Sequence, residues 1–231
     1  MNFIRLSILS LTLAFASTLA AQDDDVEYRY ELGAAAGIDF SLTDVNSKWF
    51  GNTQFAGGAV ARFLLNPRMA IKTTLSYAKI GGSTDHIKNF YPADPSAPGT
   101  ETLHFKANSG LIDLSALYEI NFLPYGYTQG YQGYKRLVPY LQMGMGFCYS
   151  TKGKAFSANI PLGFGVKYKV APRLNLGLEW RMHLSMSDKI ENLEAPLGIE
   201  SSGFKNKDHY SFTLLSITYD LSPRCPNCNK D

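Results

Sequence analysis

One segment restricts this chain more than any other: Leu174-Asn175-Leu176-Gly177-Leu178-Glu179-Trp180-Arg181-Met182-His183-Leu184-Ser185-Met186. Every even position is apolar, and every odd position is polar, charged or glycine. Period-two alternation is the signature of a strand with two opposite environments. Strands in soluble sheets usually run about 5–6 residues. A strand of this length suits a bilayer crossing, which needs about 9–11 residues tilted at ~45°.

The pattern recurs along the chain. Tyr28, Tyr30, Leu32, Ala34, Ala36, Ile38, Phe40 and Leu42 share one face of a first strand, with Arg29, Glu31 and Asp39 opposite. Further strands are expected over 54–65, 69–80, a stretch ending at Phe122, 141–149, 159–170 and a stretch ending at Leu221. The last starts out of phase over 209–214, which suggests a bulge. The expectation is an all-β fold: an eight-stranded antiparallel transmembrane β-barrel of the outer-membrane type. An even strand count returns both termini to one side, expected to be the periplasm. Asn66-Pro67-Arg68 and Ala171-Pro172-Arg173 read as tight turns on that side. Longer connections, near 43–52, 81–102 and 188–208, fall on the other. Short periplasmic turns and long outer loops are the asymmetry of outer-membrane barrels.

Alternation alone does not say which face points inward. A soluble barrel would bury the apolar face and wet the polar one. Here the polar faces are rich in glycine and poor in lysine, unlike a solvated surface, and aromatics gather near strand ends, as in membrane interface girdles. With the apolar face on lipid, Glu31, Arg62, Glu119, Lys167, Glu179 and Arg181 enter the lumen, together with Arg29, Asp39, Lys72, Asp113 and Lys169. An eight-stranded barrel is wide enough only for its own side chains, and buried charges must pair. A salt-bridged plug is expected, not a channel.

Little in the sequence points to chemistry. The nearest catalytic set is His183, Ser185 and Asp188, with His209 and Ser211 on the next strand; serines and histidines at strand ends are common lumen residues. No nucleotide-binding or zinc-protease motif occurs, so no cofactor or metal is expected, and the chain is read as non-enzymatic. With 22 Lys+Arg against 20 Asp+Glu, there is no basic footprint for nucleic acid.

The ends carry more. Residues 1–21 read as a signal peptide: a basic start, an apolar run from Leu6 to Ala16, and small residues before cleavage. Residues 22–222 form the barrel, and residues 223–231 a periplasmic tail containing Cys225-Pro226-Asn227-Cys228. In an oxidising compartment the pair can close on itself, cross-link a partner, or give half of a metal site. Cys148, facing the lumen, is expected to be a small buried filler. The one long turn on the tail's side carries Tyr125, Tyr127, Tyr131 and Tyr134 between glycines. Such tyrosines serve either as a binding loop or as interface anchors.

The run Ile160-Pro161-Leu162-Gly163-Phe164-Gly165-Val166-Lys167-Tyr168, followed by Leu176-Gly177-Leu178-Glu179-Trp180-Arg181, resembles the PorG family of outer-membrane barrels. So do the start Glu27-Tyr28-Arg29-Tyr30-Glu31-Leu32-Gly33 and the terminal Cys225-Pro226-Asn227-Cys228. The segment 185–192 looks like a diverged form of that family's Thr/Asp-rich loop. The resemblance implies a non-enzymatic component of the type IX protein secretion machinery, seating a periplasmic ring against the outer membrane. Its implied partners are outer-membrane lipid, the ring lipoprotein and that lipoprotein's soluble partner. Cys225, Pro226 and Cys228 would face the lipoprotein. A free-standing structural or adhesive barrel working through its outer loops is the alternative.

Overall fold

The computed structural model describes residues 28–42, 49–83, 106–127, 133–187, 190 and 207–223. Eight strands form a closed antiparallel barrel in sequence order: β1 (Tyr28–Leu42), β2 (Gln54–Asn66), β3 (Met69–Ser83), β4 (Lys106–Asn121), β5 (Leu137–Ser150), β6 (Phe156–Ala171), β7 (Leu174–Ser185) and β8 (His209–Pro223). The last strand closes the sheet on the first, from Leu42 opposite His209 to Tyr28 opposite Pro223.

Alternation decides the two faces. Leu32, Leu75, Leu114, Met145, Phe164, Leu178 and Leu215 all stand exposed around the outside. So large an apolar belt is intolerable in water and natural in lipid. The inward positions hold Glu31, Arg62, Lys72, Glu119, Lys167, Glu179 and Arg181, all buried. Among the described residues no helix is long and apolar enough to cross a membrane; the crossing is made by strands.

The strands are staggered. Following paired residues once around, from Tyr30 through Phe63, Ile71, Tyr118, Met143, Leu162, Met182 and Ser211, the path returns at Phe40, ten residues further along β1. Such shear is what strand tilt in a closed barrel requires.

Two expectations are corrected. The expected bulge in β8 is absent, since its register against both neighbours is unbroken. Tyr210, Phe212 and Leu214 therefore point into the lumen, and Ser211 and Thr213 point outward. Register shifts fall instead beside the tight turns, at Leu64/Asn66 and at Lys169/Ala171. Arg29, expected in the lumen, is exposed at the strand's end, beyond the reach of the paired interior.

Candidate functional site

The interior is the candidate site, and it has two halves. Toward the termini it is ionic. Arg62 donates from Nη1 to Glu31 Oε2 at 2.9 Å and from Nε to Glu119 Oε2 at 3.1 Å. Lys167 donates to Glu119, and Lys72 to Glu179. Arg181 Nη1 donates to Thr74 Oγ1 at 2.9 Å, while its Nε lies 3.2 Å from Glu179 Oε1, close enough for charge attraction without hydrogen-bond alignment. Tyr140 donates its hydroxyl to Glu179 Oε2 at 2.7 Å, and Thr218 its own to Glu31 Oε2 at 3.1 Å. Of the eleven charged residues expected in the lumen, Glu31, Arg62, Glu119 and Lys167 form one ion-paired cluster, and Glu179 and Arg181 belong to a second beside it. Lys72 joins the second, although pattern reasoning singled it out only as inward-facing.

Small residues make the room. A β-carbon at Gly165 would sit 2.7 Å from the Tyr140 hydroxyl, and one at Gly163 would sit 2.8 Å from Arg181 Cγ. Glycines across from long side chains are how a narrow barrel holds arginine and tyrosine. The glycine-rich polar faces of the sequence thus have a packing cause.

The termini-side mouth is stoppered. Tyr125 turns inward from the β4–β5 connection, is buried, and donates to Asn175 Oδ1 at 2.8 Å. Lys167 and Lys169 lie over its ring at 4.9 and 5.1 Å. Below it, Lys169 donates to Asp220 Oδ2 at 2.5 Å, and Asn175 Nδ2 to Asp220 Oδ1 at 2.6 Å. This corrects the expectation that Tyr125 faces a partner: a ring held by two cations and a hydrogen bond is part of the plug. Tyr127 is half-buried under the Arg136 guanidinium, 3.7 Å from its ring centroid. Tyr134 packs where a β-carbon on Gly126 would come within 2.6 Å of its ring. Tyr131, Cys225, Pro226 and Cys228 lie outside the described residues, as do the signal segment and Asp188.

The other half is tightly packed around the buried carboxylate of Asp113. Tyr210 donates to Asp113 Oδ2 at 2.6 Å, and Asn159 Nδ2 to the same oxygen at 3.0 Å. His183 Nδ1 lies 3.3 Å from that oxygen, and its ring stacks on Tyr210 with centroids 4.6 Å apart. Above lies an apolar layer that includes Ile80, Leu111, Cys148, Phe212 and Leu214. Ile190 caps it, fully buried, its carbonyl accepting from Ser150 Oγ at 2.6 Å and its N–H donating to Asp208 Oδ2 at 2.9 Å. Cys148 is the buried filler of this layer.

The catalytic set is not assembled. His183 and Ser185 are sealed in the lumen with no exposure. His209 and Ser211 are on the outward phase of β8, since His183 pairs with inward Tyr210. Among the described residues no group of His, Cys, Asp or Glu is placed to hold a metal ion. The ionic network, the Asp113 cluster and the Ile190 cap depend on partners far apart in the chain; only the inward phase was visible as a signal for them.

The chain matches the outer membrane protein β-barrel domain family over residues 6–217 and belongs to it. Membership makes it a barrel of the bacterial outer membrane. Solved structures similar to it include Neisserial surface protein A, at 15% identity, with 83% of this chain and 97% of that one covered and a TM-score of 0.49. Another is Ail, the attachment invasion locus protein of Yersinia pestis, solved with the heparin analogue sucrose octasulfate, at 8% identity, 84% and 99% coverage and a TM-score of 0.44. Nothing about function follows from them at that distance. No curated protein matches the sequence.

Proposed function

We propose that this barrel is a non-conducting, non-enzymatic scaffold of a type IX secretion machine, anchoring a periplasmic ring to the outer membrane. The observation that carries the scaffold reading is the filled lumen. Its charges pair with one another, Tyr125 stoppers one mouth and Ile190 caps the other. A barrel whose described interior leaves no open path acts through its rims and tail. The secretion assignment rests on the PorG resemblance of the strand motifs and of Cys225-Pro226-Asn227-Cys228. Both termini are then periplasmic, and the docking surface comprises the tail and the tip of the tyrosine turn, Tyr127, Tyr131 and Tyr134, without Tyr125.

The test is a non-reducing gel of native outer membranes beside Cys225→Ser and Cys228→Ser variants. A reducible band of higher mass, absent from the variants and containing a ring lipoprotein by mass spectrometry, supports the reading. A monomer in every lane, with secretion unimpaired by removal of residues 223–231, sinks it and favours the free-standing barrel. In planar bilayers the purified protein is expected to show no conductance above background.

A further inference from the structure

A short sequence repeats on one side of the membrane. Asn66-Pro67-Arg68, Ala171-Pro172-Arg173 and Ser222-Pro223-Arg224 all place arginine directly after proline. The first is the β2–β3 turn and the second the β6–β7 turn; β8 ends at Pro223, and Arg224 lies outside the described residues. The remaining connection on this side, between β4 and β5, ends in Lys135-Arg136, and β1 opens with Tyr28-Arg29. Every gap between hairpins around this rim therefore carries a cation. Segments 66–68, 122–136 and 171–173 contain no carboxylate at all. The nearest described carboxylates, Glu31, Glu119 and Asp220, point inward and are already bonded to Arg62, Lys167 and Lys169.

The depth is set by what adjoins each cation. Arg29 precedes Tyr30, Arg68 precedes Met69, and Arg136 precedes Leu137, all exposed on the lipid-facing side. The charges thus begin where the apolar belt ends, which is headgroup level. Three of the guanidinium groups are held in place. Arg68 Nη1 donates to Phe122 O at 3.3 Å. Arg136 Nε donates to Tyr127 O at 3.2 Å. Arg173 Nε donates to the Tyr28 hydroxyl at 3.1 Å, its guanidinium 5.2 Å from that ring. Each contact engages part of a fork with five N–H donors, and the fork's geometry matches phosphate oxygens.

We propose that this rim is a collar for the phosphates of anionic phospholipids. The distribution selects lipid over protein as the occupant: a protein docks on one side, whereas an annulus of lipid surrounds the whole circumference. The collar stands whether or not the barrel serves a secretion machine.

The full chain would be folded into vesicles of phosphatidylcholine and phosphatidylglycerol in equal parts, extracted with its bound lipid in mild detergent, and the retained lipid quantified by mass spectrometry. The wild type is expected to retain phosphatidylglycerol in excess over the vesicle ratio. Each cation near an anionic surface is worth about fivefold in partitioning, so Arg29→Gln with Lys135→Gln should reduce the excess, and adding Arg68→Gln, Arg136→Gln and Arg173→Gln should abolish it. Heat-modified electrophoretic mobility shows which variants are folded, and matching Arg→Lys changes should keep most of the excess. The acids Asp23, Asp24, Asp25 and Glu27 precede β1, outside the described residues; neutralising them should leave the excess equal or larger. Retention at the bulk ratio by the wild type, an undiminished excess in the folded Gln variants, or a fall on neutralising the N-terminal acids overturns the collar.

Discussion

The two halves of the lumen exclude water by opposite means. Near the termini, Glu31, Arg62, Lys72, Glu119, Lys167, Glu179 and Arg181 fill the bore with charges held in ion pairs. Beneath the outer loops, Ile80, Leu111, Phe212, Leu214 and Ile190 fill it as a hydrophobic core would. The ionic half is intolerant of losing one member, because the partner is left buried and unpaired. The apolar half loses only transfer free energy and packing. Both seal, but they should fail differently.

Glu119→Ala should break the contrast most sharply. It leaves Lys167 buried without its carboxylate and Arg62 with Glu31 alone, and should cost about 3–5 kcal/mol, read as a lower urea midpoint for unfolding from lipid vesicles. Leu111→Ala opens a cavity in the apolar half and should cost about 3 kcal/mol, with the barrel still folding and still non-conducting. A Leu111→Ala loss larger than the Glu119→Ala loss would reverse the ranking of the two halves. Tyr125→Phe keeps the ring over its cations and removes one hydrogen bond, worth about 1 kcal/mol; faster amide exchange at Asn175 should accompany it. Salt gives the smallest effect. Raising sodium chloride to about 1 M contracts the Debye length to about 3 Å, yet the stability gap between wild type and Glu119→Ala should move by less than about 0.5 kcal/mol, since neither Arg62 nor Lys167 meets solvent.

The outer face was largely legible in the sequence. Leu174 to Met186 announces a lipid-facing strand because each side chain answers to its own environment, and a period of two needs no knowledge of neighbours. The inward phase of Glu31, Arg62 and Glu179 followed from the same rule. Partnership did not. Arg62 meets Glu31 on an adjacent strand but Glu119 two strands away, and nothing in one strand's period says which inward side chains meet. Tyr210 and Phe212 misled for a related reason: as apolar residues on the inward phase of β8 they read as a slipped register, when they are the wall of the apolar layer. Tyr125 looked like a binding-loop residue because nothing in a Tyr-Gly run says which ring turns inward.

The closure of β1 on β8 bears on how the molecule is made. Tyr28 to Leu42 and His209 to Pro223 are the first and last strands to leave the ribosome, yet each supplies the other's missing hydrogen bonds. Until the final strand arrives, both edges expose unpaired backbone that hydrocarbon will not tolerate. The chain must therefore be kept unfolded, or shielded, through its whole synthesis and export. Insertion is then a single event involving all eight strands, and a chain cut short before residue 209 would have no stable resting place in the bilayer.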